Sequence, residues 1–139
     1  MKKRCLFFSV GDKCYALPIK RIVEVIPYIF LERIPKSTSK VLAGVFTYHG
    51  VEVPVIDFCY CMQGRECRNV LSSRIIIIPA LKNISAMYEY LGVVVERATR
   101  ISFWVEGQGV NYLKVEELFS DDVQEHLMKI ASCEEEGKR

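Results

Sequence analysis

Hydrophobic positions along most of this chain come in short runs broken by glycine, proline and charge, a pattern that predicts strands. It is plainest from Val41 to Asp57, where two apolar runs meet at Tyr48-His49-Gly50 and predict strand, tight turn, strand. In the second run Val51, Val53 and Val55 lie on one face, with Glu52, Pro54 and Ile56 on the other. Gly50 falls where a turn needs positive φ, and Gly44 where a side chain would obstruct a close neighbour. Pro54 cannot donate to a ladder, so its strand has an unpaired side at that point.

Cys5 to Val10, the turn Gly11-Asp12-Lys13 and Cys14 to Leu17 predict a hairpin, bent onward by Pro18. Ile19, Ile22, Val23 and Ile26 keep helical spacing, while 22–26 alone also suits a strand; a helical turn giving way to strand, ended by Pro27, reconciles the two. Ile29 to Ile34 is apolar around Glu32-Arg33, and residues 35–40 form a polar loop. Phe58 to Met62 reads as a continuation of the strand before it, broken by Gln63-Gly64-Arg65-Glu66. Arg74 to Ile78 predicts a strand buried on both faces, ended by Pro79. After a polar loop at Lys82-Asn83-Ile84-Ser85, Tyr88 to Glu96 predicts another strand. Ile101 to Val105 and Val110 to Val115, joined by Glu106-Gly107-Gln108-Gly109, predict a further hairpin. A helix starts at Asp121, with Gln124 three residues on and an apolar stripe of Val123, Leu127, Ile130 and Ala131. Many short strands and one late helix define an all-β sandwich or barrel in a single domain, 1–139, with an acidic tail from about 134.

Composition sharpens this only in places. Seven Tyr and seven Phe beside many Val and Ile favour sheet. The net charge is +2, but residues 1–40 carry a balance of +6 and the rest −4. The basic residues are not interleaved with aromatics, so a solvated terminus is the better reading and no nucleic-acid partner is expected. No signal peptide is evident, since the run after Lys2-Lys3-Arg4 is short and interrupted at Gly11-Asp12-Lys13, and no segment is apolar enough to span a bilayer. Six cysteines without a secretory address imply reduced thiols and a cytoplasmic protein.

Candidate chemistry is sparse. His49 and His126 have no nucleophile in a recognisable elbow, and no phosphate-cradling glycine loop occurs, so no enzyme is expected. Cys59, Cys61 and Cys67 are the densest thiol cluster, with Cys59 and Cys61 on one face if 58–62 is a strand. They lack paired zinc knuckles and read as small apolar residues, so no metal or other cofactor is expected. Asp57 and Glu96 follow buried runs, where such carboxylates commonly cap turns through nearby amides.

The segments Gly44-Val45-Phe46-Thr47-Tyr48-His49-Gly50 and Pro54-Val55-Ile56-Asp57-Phe58 resemble the signature of the CheW family, scaffold proteins of bacterial chemosensory arrays. Phe8 to Ile19, Arg33-Ile34-Pro35 and Leu91-Gly92-Val93-Val94-Val95-Glu96 are similar to other family segments in the same order. The resemblance runs from about Leu6 to Phe119. Ser72-Ser73-Arg74-Ile75 and Glu96-Arg97-Ala98-Thr99 look more like couplers of surface-sensing pathways that control a diguanylate cyclase.

The resemblance implies two packed five-stranded β-barrels, interleaved along the chain, and a non-catalytic adaptor coupling a methyl-accepting chemoreceptor to a CheA-type histidine kinase. Membrane association would then come only through the receptor. Carried over by position, the receptor-facing residues are Ile22, Gly44, His49 and Gly50, and the kinase-facing residues Ile75 and, by same-face alternation, Ile77. Two departures stand out. His49 replaces the family's turn arginine, exchanging a permanent bidentate cation for a mostly neutral imidazole. The segment between Glu96 and Glu106 is also shorter than in family members, implying a trimmed second barrel. The alternative is a CheW-like decoy or regulator that binds only one of these partners, or another signalling protein.

Overall fold

The computed structural model describes residues 3–29, 31–33, 40–82, 87–125 and 127–128. Most of the predicted 35–40 loop, the 83–85 loop, His126, the Ile130 and Ala131 positions and the acidic tail lie outside the described residues.

Among the described residues nine strands form two sheets, so the all-β class holds. The smaller sheet is built on β1 (Lys3–Val10) and β2 (Lys13–Pro18), an antiparallel hairpin whose turn uses Gly11 at φ +60°. A single 3-10 turn, Ile19–Arg21, then leads into β3 (Glu24–Pro27), resolving the helix-or-strand ambiguity as a succession of both. Strands β4 (Leu42–Tyr48) and β5 (Val51–Asp57) are the hairpin predicted around Tyr48-His49-Gly50. Strands β6 (Arg74–Pro79) and β7 (Tyr90–Val95) complete a five-stranded sheet of order β3-β6-β7-β5-β4. Strand β5 is interior to this sheet, and Pro54 is tolerated because pairing with β7 begins only at Val55.

This larger sheet curls until its ends meet. Just beyond β3, Glu32 pairs with Val45 of β4 through two backbone hydrogen bonds of 2.9 and 2.8 Å. The enclosed space is filled by Leu31, Phe46, Val53, Val55, Ile75, Ile77 and Val94. The opposite face of β6, carrying Ile76 and Ile78, packs with Leu6, Phe8 and Leu17 into the main core between the sheets. Strand β6 is therefore buried on both faces, as its unbroken isoleucine run predicts.

The expected late hairpin is corrected. Strand β8 (Arg97–Trp104) pairs with β1, whereas β9 (Asn111–Tyr112) pairs in parallel with β2, so the two lie on opposite edges of the order β8-β1-β2-β9. Trp104 explains why the arms need not pair: its Nε1 donates to the Val110 carbonyl at 3.1 Å, and its ring lies 4.9 Å from that of Tyr112. A side chain thus spans the gap that a ladder would have filled.

Phe58–Gln63 is also not a strand but a helix, α1. Asp57 Oδ1 accepts the Tyr60 amide at 3.0 Å at its start, and Gly64 stops it at φ +70° with its amide bonded to the Tyr60 carbonyl. A second short helix, α2 (Val115–Leu118), occupies the end of the predicted strand 110–115. Residues 121–125 are helical as expected, but the start is Ser120, whose Oγ accepts the Val123 amide at 3.4 Å, and not Asp121. Val123 and Leu127 enter the main core.

Candidate protein-interaction site

The turn joining β4 to β5 has two central residues, His49 at φ +48° and Gly50 at φ +81°. Positive φ at both positions matches the twist of a two-residue hairpin, and histidine is among the residues that tolerate it. Both residues are exposed at the tip. Beside them Tyr48 forms a small aromatic cluster: its ring is 4.3 Å from His49 and 5.3 Å from Tyr90, centre to centre, both edge-on.

The Tyr48 hydroxyl donates to Glu24 Oε1 at 2.6 Å. This bond joins β4 to β3, the two end strands of the larger sheet. It also holds the phenol proton, pushing the Tyr48 pKa up to about 12, first through the hydrogen bond to Glu24 and then through desolvation and nearby charge. The turn is consequently tied to the strand that starts two residues after Ile22. Ile22 itself is half-buried against the main core, its amide closing the 3-10 turn onto the Ile19 carbonyl at 3.1 Å.

Gly44 lies five residues before the tip, roughly 16 Å away along an extended strand, and is buried. A Cβ there would sit 2.7 Å from the Glu32 carbonyl oxygen and 2.7 Å from Leu31 Cβ, at a backbone φ of +154°. Its role in this geometry is to let the Glu32–Val45 bridge form. Of the four positions that the family resemblance assigns to a receptor, then, the structure groups His49 and Gly50 at the tip, links Ile22 to them through β3, and sets Gly44 apart beneath the surface.

Ile75 and Ile77 have no accessible surface. Their side chains fill the interior of the larger sheet, so a partner approaching β6 would meet other atoms first. Sequence reasoning missed Glu24 and Tyr90 at the turn. Neither has a local motif, because their placement depends on which strands end up side by side.

A second polar cluster lies below α1. Asp57 and Glu96 are both buried. Asp57 bonds nearby amides as expected, but as the cap of a helix, α1, and not of a turn, and it also accepts the Cys67 amide at 2.7 Å through Oδ2. Burial pushes its pKa up, against the lowering effect of the amides of Cys67, Tyr60 and Cys59. Glu96 does not cap a turn with its carboxylate. It accepts from Arg65 at 2.8 Å, lies 3.6 Å from Arg68, and accepts from the Cys59 thiol at 3.3 Å. Burial alone would raise the Glu96 pKa, but Arg65, Cys59 and Arg68 together hold it below the usual range. The same-face placement of Cys59 and Cys61 fails because 58–63 is helical: Cys59 points into the core and Cys61 to solvent. Cys67 takes the place beside Cys59 instead.

The CheW-like domain family matches residues 4–122, and the chain belongs to that family. Its members are non-catalytic scaffolds of chemotaxis signalling, so the chain is not an enzyme. Among solved structures, the fold is similar to that of the scaffolding protein TtCheW from Thermoanaerobacter tengcongensis, with a TM-score of 0.67 at 21% identity, covering 88% of this chain and 91% of that one. No curated protein matches the chain in sequence. No helix among the described residues is long and apolar enough to cross a membrane.

Proposed function

We propose that this chain is a cytoplasmic adaptor that couples the cytoplasmic tip of a methyl-accepting chemoreceptor to the regulatory domain of a CheA-type histidine kinase. The observation that carries the receptor half is the His49-Gly50 tip, exposed and braced by the Tyr48–Glu24 hydrogen bond on a closed sheet. Recognition residues on a turn held by rigid strands bind without a large ordering cost. Coupling would arise from binding free energy shared between two surfaces and needs no chemistry.

The zero exposure of Ile75 and Ile77 favours one second reading, a regulator that engages the receptor but not the kinase. Pull-downs with the receptor tip and the kinase regulatory domain separate the two. The coupling reading expects both to bind wild-type protein. His49→Ala should weaken receptor binding about fivefold or more, as truncating an interface anchor does, and leave kinase binding nearly unchanged. Receptor binding without kinase binding supports the regulator, and no binding to either by folded protein removes both readings.

A further inference from the structure

The cluster below α1 contains more than ion pairs. Asp57, Cys59 and Cys67 each offer one ligand atom, and these atoms all lie within 4.8 Å of one another. Three elements converge to place them. Asp57 ends β5, Cys59 is in the first turn of α1, and Cys67 lies in the irregular segment after it, drawn in by its amide's bond to Asp57 Oδ2 at 2.7 Å. The geometry points to a transition-metal site of Zn2+ type held by the Asp57 carboxylate and the Cys59 and Cys67 thiolates.

Thiolate, thiolate and carboxylate form a donor set that zinc accepts in tetrahedral geometry, with a position left over for water. Cys67 is only half-buried, which leaves that side open for entry. The proton that Cys59 Sγ donates to the Glu96 carboxylate at 3.3 Å leaves on binding, and Arg65 and Arg68, paired with Glu96, offset the charge that this brings together. Two thiolates and one carboxylate bring three negative charges, which a divalent ion reduces to one. Arg65 and Arg68 balance Glu96 and the nearby Glu66, so the filled cluster keeps a single negative charge.

Both cysteines are free thiols in this structure. Binding therefore displaces two thiol protons to solvent and changes no oxidation state. Bound metal would staple the segment after α1, which carries Arg65 and Arg68, onto β5 and α1. This inference is independent of receptor or kinase coupling.

The test uses the full chain, reduced and freed of metal with a chelator, then titrated with Co2+ and with Zn2+ against a chromophoric competitor. Co2+ should give a thiolate charge-transfer band and visible bands of tetrahedral intensity, and Zn2+ should abolish them. Cys67→Ser should lower Zn2+ affinity by more than about tenfold and lose the charge-transfer intensity of one thiolate. Cys61→Ser, on the exposed side of α1, should change neither, with circular dichroism confirming that both variants are folded. Absence of cobalt bands in folded wild-type protein overturns the site. So does a spectrum insensitive to Cys67→Ser, or thiol counting that finds Cys59 and Cys67 joined as a disulfide in protein isolated without reductant.

Discussion

The two sheets solve the same problem with different means. The five-stranded sheet joins its ends through backbone, at the Glu32–Val45 bridge, around an interior of Leu31, Phe46, Val53, Val55, Ile75, Ile77 and Val94. The four-stranded sheet has a smaller buried interior of Cys5, Phe7 and Ala16, and a single tryptophan side chain links its outer strands. One consequence is rigidity: the larger sheet can hold a two-residue turn in a fixed place, because every strand supporting it is paired and packed. The other is exposure. On β8, Ile101 is 54% exposed and Phe103 52%, although they face the same way as the buried Leu6 of β1.

The largest effect that would test this contrast is a cavity inside the larger sheet. Ile75→Ala removes buried methyl groups where paired strands cannot collapse, and should cost about 2–5 kcal/mol by denaturant unfolding. A loss under about 1 kcal/mol would mean that this interior is loosely packed and that the contrast between the sheets is wrong.

Next comes the closure itself. Gly44→Ala places a Cβ 2.7 Å from the Glu32 carbonyl oxygen, a backbone atom that cannot move without stretching the Glu32–Val45 bridge. With the unfavourable φ of +154° added, the expected loss is about 1–3 kcal/mol. Proton exchange at the Val45 and Glu32 amides should speed up more than at amides of β1 and β2. Uniform acceleration would show that the bridge is not a local closure.

Much of this architecture could be read from the residues, and the failures have identifiable causes. Alternation located β4 and β5, and the chemistry of Gly44 and Gly50 anticipated one close approach and one turn. The sequence Phe58 to Met62 misled because an apolar run of that length fits either a strand or a helix turn. The distinguishing signals were its ends: Asp57 as an N-cap and Gly64 as the left-handed stop. Missing the helix also misplaced Cys61 for Cys67 as the neighbour of Cys59. The Val110 to Val115 arm was assigned to the wrong partner because sequence proximity favours hairpins, whereas the Trp104 indole removed the need for one. Glu24 and Tyr90 beside the turn could not be found locally, since strand order alone brings them there.

The smallest expected effect sharpens the comparison most at the β8 edge. Ile101→Thr keeps the β-branched shape and the pairing opposite Leu6, and removes only apolar surface that water already reaches. The expected change is within about 0.5 kcal/mol, as for other surface positions, in contrast to the large loss at Ile75. Ile75→Thr, the same substitution in the interior, makes the pair matched, so that propensity nearly cancels and burial is what differs. A loss above about 1 kcal/mol would show that Ile101 is covered in solution. If the loss grew with protein concentration, the cover would be another copy of the chain; if it did not, the cover would come from the chain itself.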